Sequence, residues 1–350
     1  MNIERISLSD WAAELPETGH QVFHRPELLE LLAEHSGTDE LTLYAGWKGD
    51  HLVGLLPVFI NRNPLGIRTI SSPPPGMHVP YLGVVLQPTS PKVRKCERVN
   101  TRFTRGVLDD LEIDSRTLVF LVNGPEYTDP RPYEWEDLSV DTSFTYRLQI
   151  DGRSAEEIMQ RFSKSRRREI RKGNDLDVIV EQGNRADTRR VFEQTKARFA
   201  EQDEYYGLTW PFVRGVVEAI DDKSRTYVAR RPDGEFLSGI VVLYSGDTAS
   251  FWLGGVRAEY QHISINSLLH WAIIRDIADD PELSGITNYD MVGAGEYRLS
   301  KFKSKFGPEL RPYYVVNSGG VQMWASESAY SVLKNVRTWF QSTPTVDRSD

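Results

Sequence analysis

The sequence predicts a mixed α/β (α+β) protein with two tandem domains, each a mixed, mainly antiparallel twisted sheet flanked by helices. Three observations predict this class: a length of 350 residues, a strand meander between helices in the second half, and a weaker copy of that order in the first half. We expect domains over 1–145 and 146–322, then a closing helix and polar tail over 323–350.

In the first half, the clearest predicted element is a hairpin. The runs 43–45 and 52–54 flank a turn at Gly49-Asp50. Downstream, the pattern predicts a strand over 81–84, a helix that ends near Leu111, and a strand over 118–122.

The helices of the second half begin at recognisable caps. Ser154 and Glu157 form a capping-box signature for a helix that ends at Gly173. Asp187 is expected to cap a second helix, and Thr209 a third.

The strands of the second half follow an antiparallel meander. Turn residues at 232–234 and 245–247 separate three strand-forming runs, 226–229, 237–244 and 249–255. The pattern predicts further elements around the meander: strands over 178–181, 287–291 and 313–316, and helices over 265–277, 297–305 and 326–340.

A shared local pattern favours an internal duplication. The hairpin at 43–54 corresponds to 227–239, and residues 81–84 take the place of 252–256. The alternative is that any two antiparallel meanders look alike.

Composition limits the functional classes. The 42 Lys and Arg against 50 Asp and Glu give a net charge of −8, which argues against a protein that wraps polyanions over its whole surface. The longest apolar run, 52–60, is too short for a membrane span and contains Pro57. We expect a cytoplasmic protein, since the N-terminus has no secretory signal pattern and the single Cys96 cannot form an internal disulfide.

Basic residues are concentrated at 161–172, where seven of twelve positions are Lys or Arg. On one helix, five of them would share a face: Arg161, Lys164, Arg168, Arg171 and Lys172. One interpretation is a seat for the phosphates of a nucleotide sugar, a CoA or a tRNA, which we assign to Arg166, Arg168, Arg171 and Lys172. The alternative is a solvated helix face moderated by Glu169.

Three segments carry a family resemblance: the basic segment 162–172, the strand end Asn288-Tyr289-Asp290-Met291-Val292-Gly293, and Phe302-Lys303-Ser304-Lys305-Phe306-Gly307. With the element order, they resemble the GNAT fold. As tandem copies, they resemble the FemAB family of peptidoglycan aminoacyl transferases and the related acetyltransferases with a BioF2-like domain.

The resemblance implies transfer of an acyl or aminoacyl group from an activated carrier directly onto an amine. The implied donors are acyl-CoA, an acyl carrier or aminoacyl-tRNA, used as co-substrates rather than as tightly bound cofactors. The implied acceptor is an amine on a cell-envelope or sugar/peptide precursor.

Two family motifs are incomplete. Acetyl-CoA-using relatives hold the donor's pyrophosphate on bare amides of an Arg/Gln-x-x-Gly-x-Gly/Ala loop at a helix start. The candidate loop here keeps Gln261 but carries Ser264 and Asn266 at the two small positions, which narrows the approach for CoA. Residues 208–212 replace an Arg-x-x-x-Tyr that is typical of members acting on a UDP-linked precursor.

Lys303 and Asp290 are the candidate catalytic residues. Lys303 is expected to face the oxyanion that develops during attack, a role typically worth ~3 to 4 kcal/mol. The alternative is that Lys303 is an ordinary solvent-exposed surface lysine with no role in catalysis. Asp290 ends a strand and is a candidate acceptor of the amine's proton, or else caps the turn at 293–295.

Aromatic residues are candidates for the lining of an acceptor cleft, although aromatic residues on strands more often lie in a core. They are Tyr81, Trp252, Tyr289 and Tyr297, with the Tyr205-Tyr206 pair, and the loop 71–76 is a candidate wall. No metal site is expected, because His20 and His24 have no evident third ligand.

A rival hypothesis from another class is a catalytically silent module. Its basic segment would bind RNA or an anionic polymer, and steep salt dependence of that binding would distinguish it.

Overall fold

A computed structural model describes residues 1–318, which form two compact units. Among these residues, the first unit contains Met1–Ser143 and 312–318, and the second contains Phe144–Arg311. No helix within this part of the chain is both long and apolar enough to cross a bilayer. The predicted closing helix over 326–340 and the polar tail lie outside the described residues.

The strands are β1 (Asn2–Ile6), β2 (Glu40–Lys48), β3 (His51–Arg62), β4 (Arg68–Ser72), β5 (Val85–Leu86), β6 (Thr117–Val122), β7 (Ser139–Gln149), β8 (Ile179–Gln182), β9 (Ser224–Arg230), β10 (Phe236–Tyr244), β11 (Thr248–Gly254), β12 (Glu259–Tyr260), β13 (Ile263–Ser264), β14 (Asn288–Asp290) and β15 (Glu309–Asn317).

The α-helices are α1 (Leu8–Glu14), α2 (Pro26–His35), α3 (Val93–Leu111), α4 (Arg131–Glu134), α5 (Ala155–Gln160), α6 (Lys164–Asn174), α7 (Arg185–Glu201), α8 (Trp210–Ala219), α9 (Ile265–Asp279) and α10 (Tyr297–Lys303).

The sheet of the first unit has the strand order β1-β2-β3-β4-β6-β15. Neighbouring strands are antiparallel except β4 and β6, which run parallel because the chain crosses through α3 between them. Phe103, Val107 and Leu111 of α3 belong to the core of this unit. The ring of Phe103 lies where a side chain on Gly46 or Gly54 would stand, 2.5 and 2.8 Å from the two Cβ positions.

The sheet of the second unit has the order β8-β9-β10-β11-β14-β7. It is antiparallel except for β11 and β14, which α9 connects as α3 connects β4 and β6. The two units therefore share one pattern of strand directions. This confirms the predicted fold class, two tandem, mixed, mainly antiparallel sheets flanked by helices.

The core of the second unit forms around α9. Leu269, Ile273 and Ile277 recur at i, i+4 and i+8 and are buried against the sheet. Helix α6 packs on α9 at close range, because a Cβ on Gly173 would lie 2.3 Å from a methyl of Leu268. A larger residue at 173 would therefore require the Leu268 side chain to move.

Two of the predicted helices need correction. The expected single helix ending at Gly173 is two helices, since α5 ends at Gln160 and the side chain of Ser163 caps α6 by accepting from the Arg166 amide. Helix α6 ends at Asn174. As a result, Arg161 does not share a helix with the other basic residues.

The cap of α7 is Asn184 instead of Asp187. Asp187 stands at the third helical position, where its carboxylate accepts from the Asn184 amide and completes a capping box. The Ser154–Glu157 capping box and the Thr209 cap are confirmed.

The predicted strand over 81–84 is wrong, because only Leu82 forms an isolated bridge, with Asn123. The first-unit counterpart of β11 is β4, which pairs antiparallel with β3 and parallel with β6. Prolines at 73–75 and 80 remove backbone donors from the segment before Tyr81, which favours a loop there.

Candidate functional site

The sheet of the second unit opens between β11 and β14. The two strands pair over three positions only, and the last pair is Ser250 with Asp290. Beyond it, β11 continues to Gly254, whereas the chain after Asp290 follows β7: the Met291 amide donates to the Tyr146 carbonyl at 2.8 Å and the Ala294 amide donates to the Phe144 carbonyl at 2.9 Å. We call this opening, between 251–254 and 291–294, the splay.

Asp290 lies fully buried at the point where the strands separate. Its Oδ1 accepts from Thr145 Oγ1 at 2.6 Å and from the Val292 amide at 2.8 Å, and its Oδ2 lies 3.6 Å from Arg147 Nη2. The carboxylate thus closes the turn after β14 through the Val292 amide, one residue before the 293–295 turn that the sequence analysis considered for it. Its role as a proton acceptor stays a prediction.

Lys303, at the end of α10, reaches the same turn. Its side chain is 8% exposed, and its Nζ donates to the carbonyl oxygens of Val292 and, at 2.9 Å, of Gly293. Val292 has a φ of 51°, which is rare for a β-branched residue, so the ammonium contacts an unusual turn. Lys303 and Asp290, predicted as partners in chemistry, therefore lie at one turn of the chain.

Burial lowers the pKa of the Lys303 ammonium to about 8, against the opposing effect of the nearby carboxylates of Asp290 and Glu296. At pH 7 the group is mostly charged. Within residues 1–318, two of its three N–H groups are used by the carbonyls of 292 and 293.

His270 is a neighbouring residue that the sequence analysis did not single out. It is buried on α9, its Nδ1 lies 2.9 Å from the Tyr289 hydroxyl, and the rings of Phe302 and Phe306 surround it. Burial, with the positive charges of Lys303 and Arg166, lowers its pKa to about 3, so it stays neutral. In the sequence, the one feature that could have drawn attention to His270 is its position among the apolar residues of α9.

The basic segment divides into an inner and an outer part. Arg166 is 1% exposed, and its guanidinium lies over the rings of Phe302 and Phe306 at 4.3 and 4.4 Å. Arg166, Ile170 and Gly173 form the buried stripe of α6 at i, i+4 and i+7, a period that the sequence already contains. Arg166 is thus an internal residue, unlike the exposed Arg168, Arg171 and Lys172.

The three candidate loop residues lie before and within the start of α9. Gln261 is exposed in the turn between β12 and β13, with a φ of 47°. Ser264 is the N-cap of α9 but makes no side-chain capping bond. Asn266 Nδ2 donates to the Gly255 carbonyl at 2.6 Å, which ties this side chain to the end of β11.

The candidate aromatic residues do not form one surface. Tyr289 is buried in the core beneath the splay, Trp252 is buried 6.4 Å from the ring of Phe212, and Tyr297 is 79% exposed at the start of α10. Tyr81 belongs to the first unit, where its ring lies 4.9 Å from that of Tyr313. Tyr297 is the one of these four that solvent reaches freely.

Residues 160–304 match the family model of the acetyltransferase (GNAT) domain. The match runs from the basic segment through the meander and the splay to Lys303. The second unit, Phe144–Arg311 among the described residues, therefore matches a GNAT-type acetyltransferase domain over most of its length.

Solved structures with the same fold include FemX, which is 12% identical, with 93% of this chain and 98% of that chain covered and a TM-score of 0.65. The C-terminal domain (DUF2156) of a putative lysylphosphatidylglycerol synthetase from Agrobacterium fabrum is 9% identical, with 97% and 98% covered and a TM-score of 0.54. L-PGS from Bacillus licheniformis is 12% identical, with 95% and 97% covered and a TM-score of 0.52. No curated protein matches the chain in sequence.

Proposed function

We propose that the protein transfers an acyl or aminoacyl group from an activated carrier to an amine by direct attack, without an acyl-enzyme. The observation that carries the proposal is the Lys303 ammonium, buried at the turn that borders the splay of a GNAT domain. A cation of this kind is suited to a carbonyl oxygen that gains negative charge.

In the proposed reaction, the amine nitrogen attacks the carbonyl carbon of an ester or thioester laid into the splay. A C–N bond forms and the carbonyl oxygen becomes an oxyanion, which accepts from the remaining N–H of Lys303. The C–O or C–S bond then breaks, the departing oxygen or sulfur takes a proton, and the nitrogen loses one to water. Asp290 already accepts two hydrogen bonds, so water is the simpler proton acceptor.

We propose aminoacyl-tRNA or an acyl carrier as donor, with its phosphates on the exposed residues Arg168, Arg171 and Lys172. The acceptor would be an amine on a cell-envelope or sugar/peptide precursor. The name of one similar structure, a putative lysylphosphatidylglycerol synthetase, contains a lysyl group, which supports an amino acid as the transferred group.

The proposal predicts a pH dependence set by Lys303. Its pKa falls from 10.5 to about 8 on folding, so the rate should decline as the pH rises through 8, where the ammonium loses its proton. In Lys303→Arg the cation persists, and the decline should disappear. Initial rates are measured from neutral to alkaline pH, with bulk tRNA charged with radiolabelled amino acids as donor and a panel of amine-bearing sugar and peptide precursors as acceptors. Uncatalysed ester hydrolysis is subtracted.

A parallel decline in both proteins would show that another group titrates. The stability of the protein should change with pH in the opposite direction to the transfer rate. Between pH 8 and 10.5 the unfolded chain holds the Lys303 proton more firmly than the folded chain. The contribution of Lys303 to the free energy of unfolding should therefore rise with pH across this window.

The exposed basic residues of α6 predict a salt-dependent affinity for tRNA. The double charge reversal Arg168→Glu and Arg171→Glu should weaken tRNA binding at least about 10-fold and reduce the slope of log K against log salt by about 2. Lys196→Glu, which changes an exposed lysine of α7, is the matched control and should change little. Fluorescence anisotropy over a salt series measures both quantities.

If the charge reversals on α6 and on α7 weakened tRNA binding equally, the donor's phosphates would not be bound specifically by α6. Steeply salt-dependent binding without transfer to any acceptor would instead support the rival, a silent binding module.

A further inference from the structure

Glu169 of α6 lies against the first residues of α9. Its Oε1 accepts from the Ser264 amide at 3.4 Å, and its Oε2 accepts from Ser267 Oγ at 3.0 Å and from Arg166 Nη1 at 2.5 Å. The carboxylate is 28% exposed. A side chain of this protein therefore occupies the start of α9 with a negative charge.

Arg166 holds that carboxylate in place. Its Nη1 also donates to Ser267 Oγ, its Nη2 donates to the Phe302 carbonyl at 3.2 Å, and two phenylalanine rings enclose the guanidinium. Its Nε is buried without a hydrogen-bond partner among residues 1–318. Because Arg166 is nearly inaccessible to solvent, the Arg166–Glu169 pair is part of the packing between α6 and α9.

The position of this pair matters for phosphate binding. The start of a helix carries partial positive charge and unpaired amides, which attract anions. Here Glu169 already neutralises the helix end and Arg166, and Asn266 is tied to the Gly255 carbonyl. A pyrophosphate brought to this end of α9 would meet a carboxylate at the amide it needs.

We propose that Glu169 is a donor-specificity residue, which excludes carriers such as CoA that would be held at the start of α9 by their pyrophosphate. The donors that remain are those whose phosphates bind elsewhere. That Glu169 selects among acyl donors rests on the proposed function. The predicted weak binding of pyrophosphate and CoA at the start of α9 does not rest on it.

The test compares wild type with Glu169→Gln and Glu169→Ala, and uses Glu156→Ala as a matched control on the neighbouring helix. Melting temperatures are measured with inorganic pyrophosphate and with CoA, against chloride at equal ionic strength. Wild type and Glu156→Ala should shift alike, and by no more than binding at the exposed Arg168, Arg171 and Lys172 accounts for. Both Glu169 variants should melt lower without ligand, because Arg166 loses its partner, and pyrophosphate should raise their melting temperature by at least about 2 °C more than that of wild type.

Stabilisation of wild type by pyrophosphate or CoA to the same extent as the variants would overturn the inference. If the Glu169 variants do not fold, the wild-type measurement decides in the same way. Acyl transfer is assayed separately. If pyrophosphate stabilises wild type as much as the Glu169 variants and wild type also transfers an acyl group from CoA, the inference about Glu169 is wrong and the proposed function stands. If wild type transfers from no donor, only the proposed function is wrong.

Discussion

Replacing Lys303 with methionine is expected to lower kcat about 100- to 1,000-fold and to change the KM for the donor little, because a donor to the oxyanion acts only in the transition state. Methionine keeps most of the side-chain length and removes the charge. The measurement is the initial rate of label transfer from charged bulk tRNA to the amine-bearing precursor that wild type accepts best.

Lys301→Met is the matched control, since Lys301 lies on the same helix and is exposed. It should retain the wild-type rate within about twofold. Lys303 also contacts the carbonyls of Val292 and Gly293, so the melting temperature of each variant is measured alongside. A folded Lys303→Met protein with a wild-type kcat would remove Lys303 from the mechanism.

Gly254→Ala is expected to lower the free energy of unfolding by about 3 kcal/mol or more. Gly254 has a φ of +98°, and a Cβ there would lie 2.1 Å from the Gly239 carbonyl oxygen and 2.7 Å from a methyl of Val191. The residue ends β11 at the rim of the splay, where β10, β11 and α7 come close together. Urea titration followed by circular dichroism measures the loss.

Gly234→Ala separates the two causes of that loss. Gly234 has a similar φ of +88°, but no atom lies within 4 Å of its Cβ position. This variant should lose only about 1 kcal/mol, from backbone strain alone. Equal losses in the two variants would contradict the close approach at Gly254.

Local chemistry made much of the second unit predictable. The Ser154–Glu157 box, the Thr209 cap and the glycine-containing turns of the meander each act over a few residues, so their signals are complete within the sequence. β1 and β7 were not predicted, because NIERI and SVDTSFTYRLQ show no clean alternation and their pairing partners lie far along the chain.

The site was predictable only in part. Lys303 and Asp290 were named through the family resemblance, and both lie at the turn after β14. Arg166 was assigned to phosphate although its spacing with Ile170 marks the buried face of α6. Glu169 was treated as a moderating surface charge, since its contact with Ser264 joins residues 95 positions apart.

The splay has a consequence for the cost of accommodating a donor. The amides of Met291 and Ala294 are already committed to β7, so the slot beside β11 exists before any ligand arrives. Pairing the chain after β14 with the rest of β11 would require those two hydrogen bonds to break. The gap is therefore preorganised, and a donor carbonyl that binds there spends little binding energy on separating two strands.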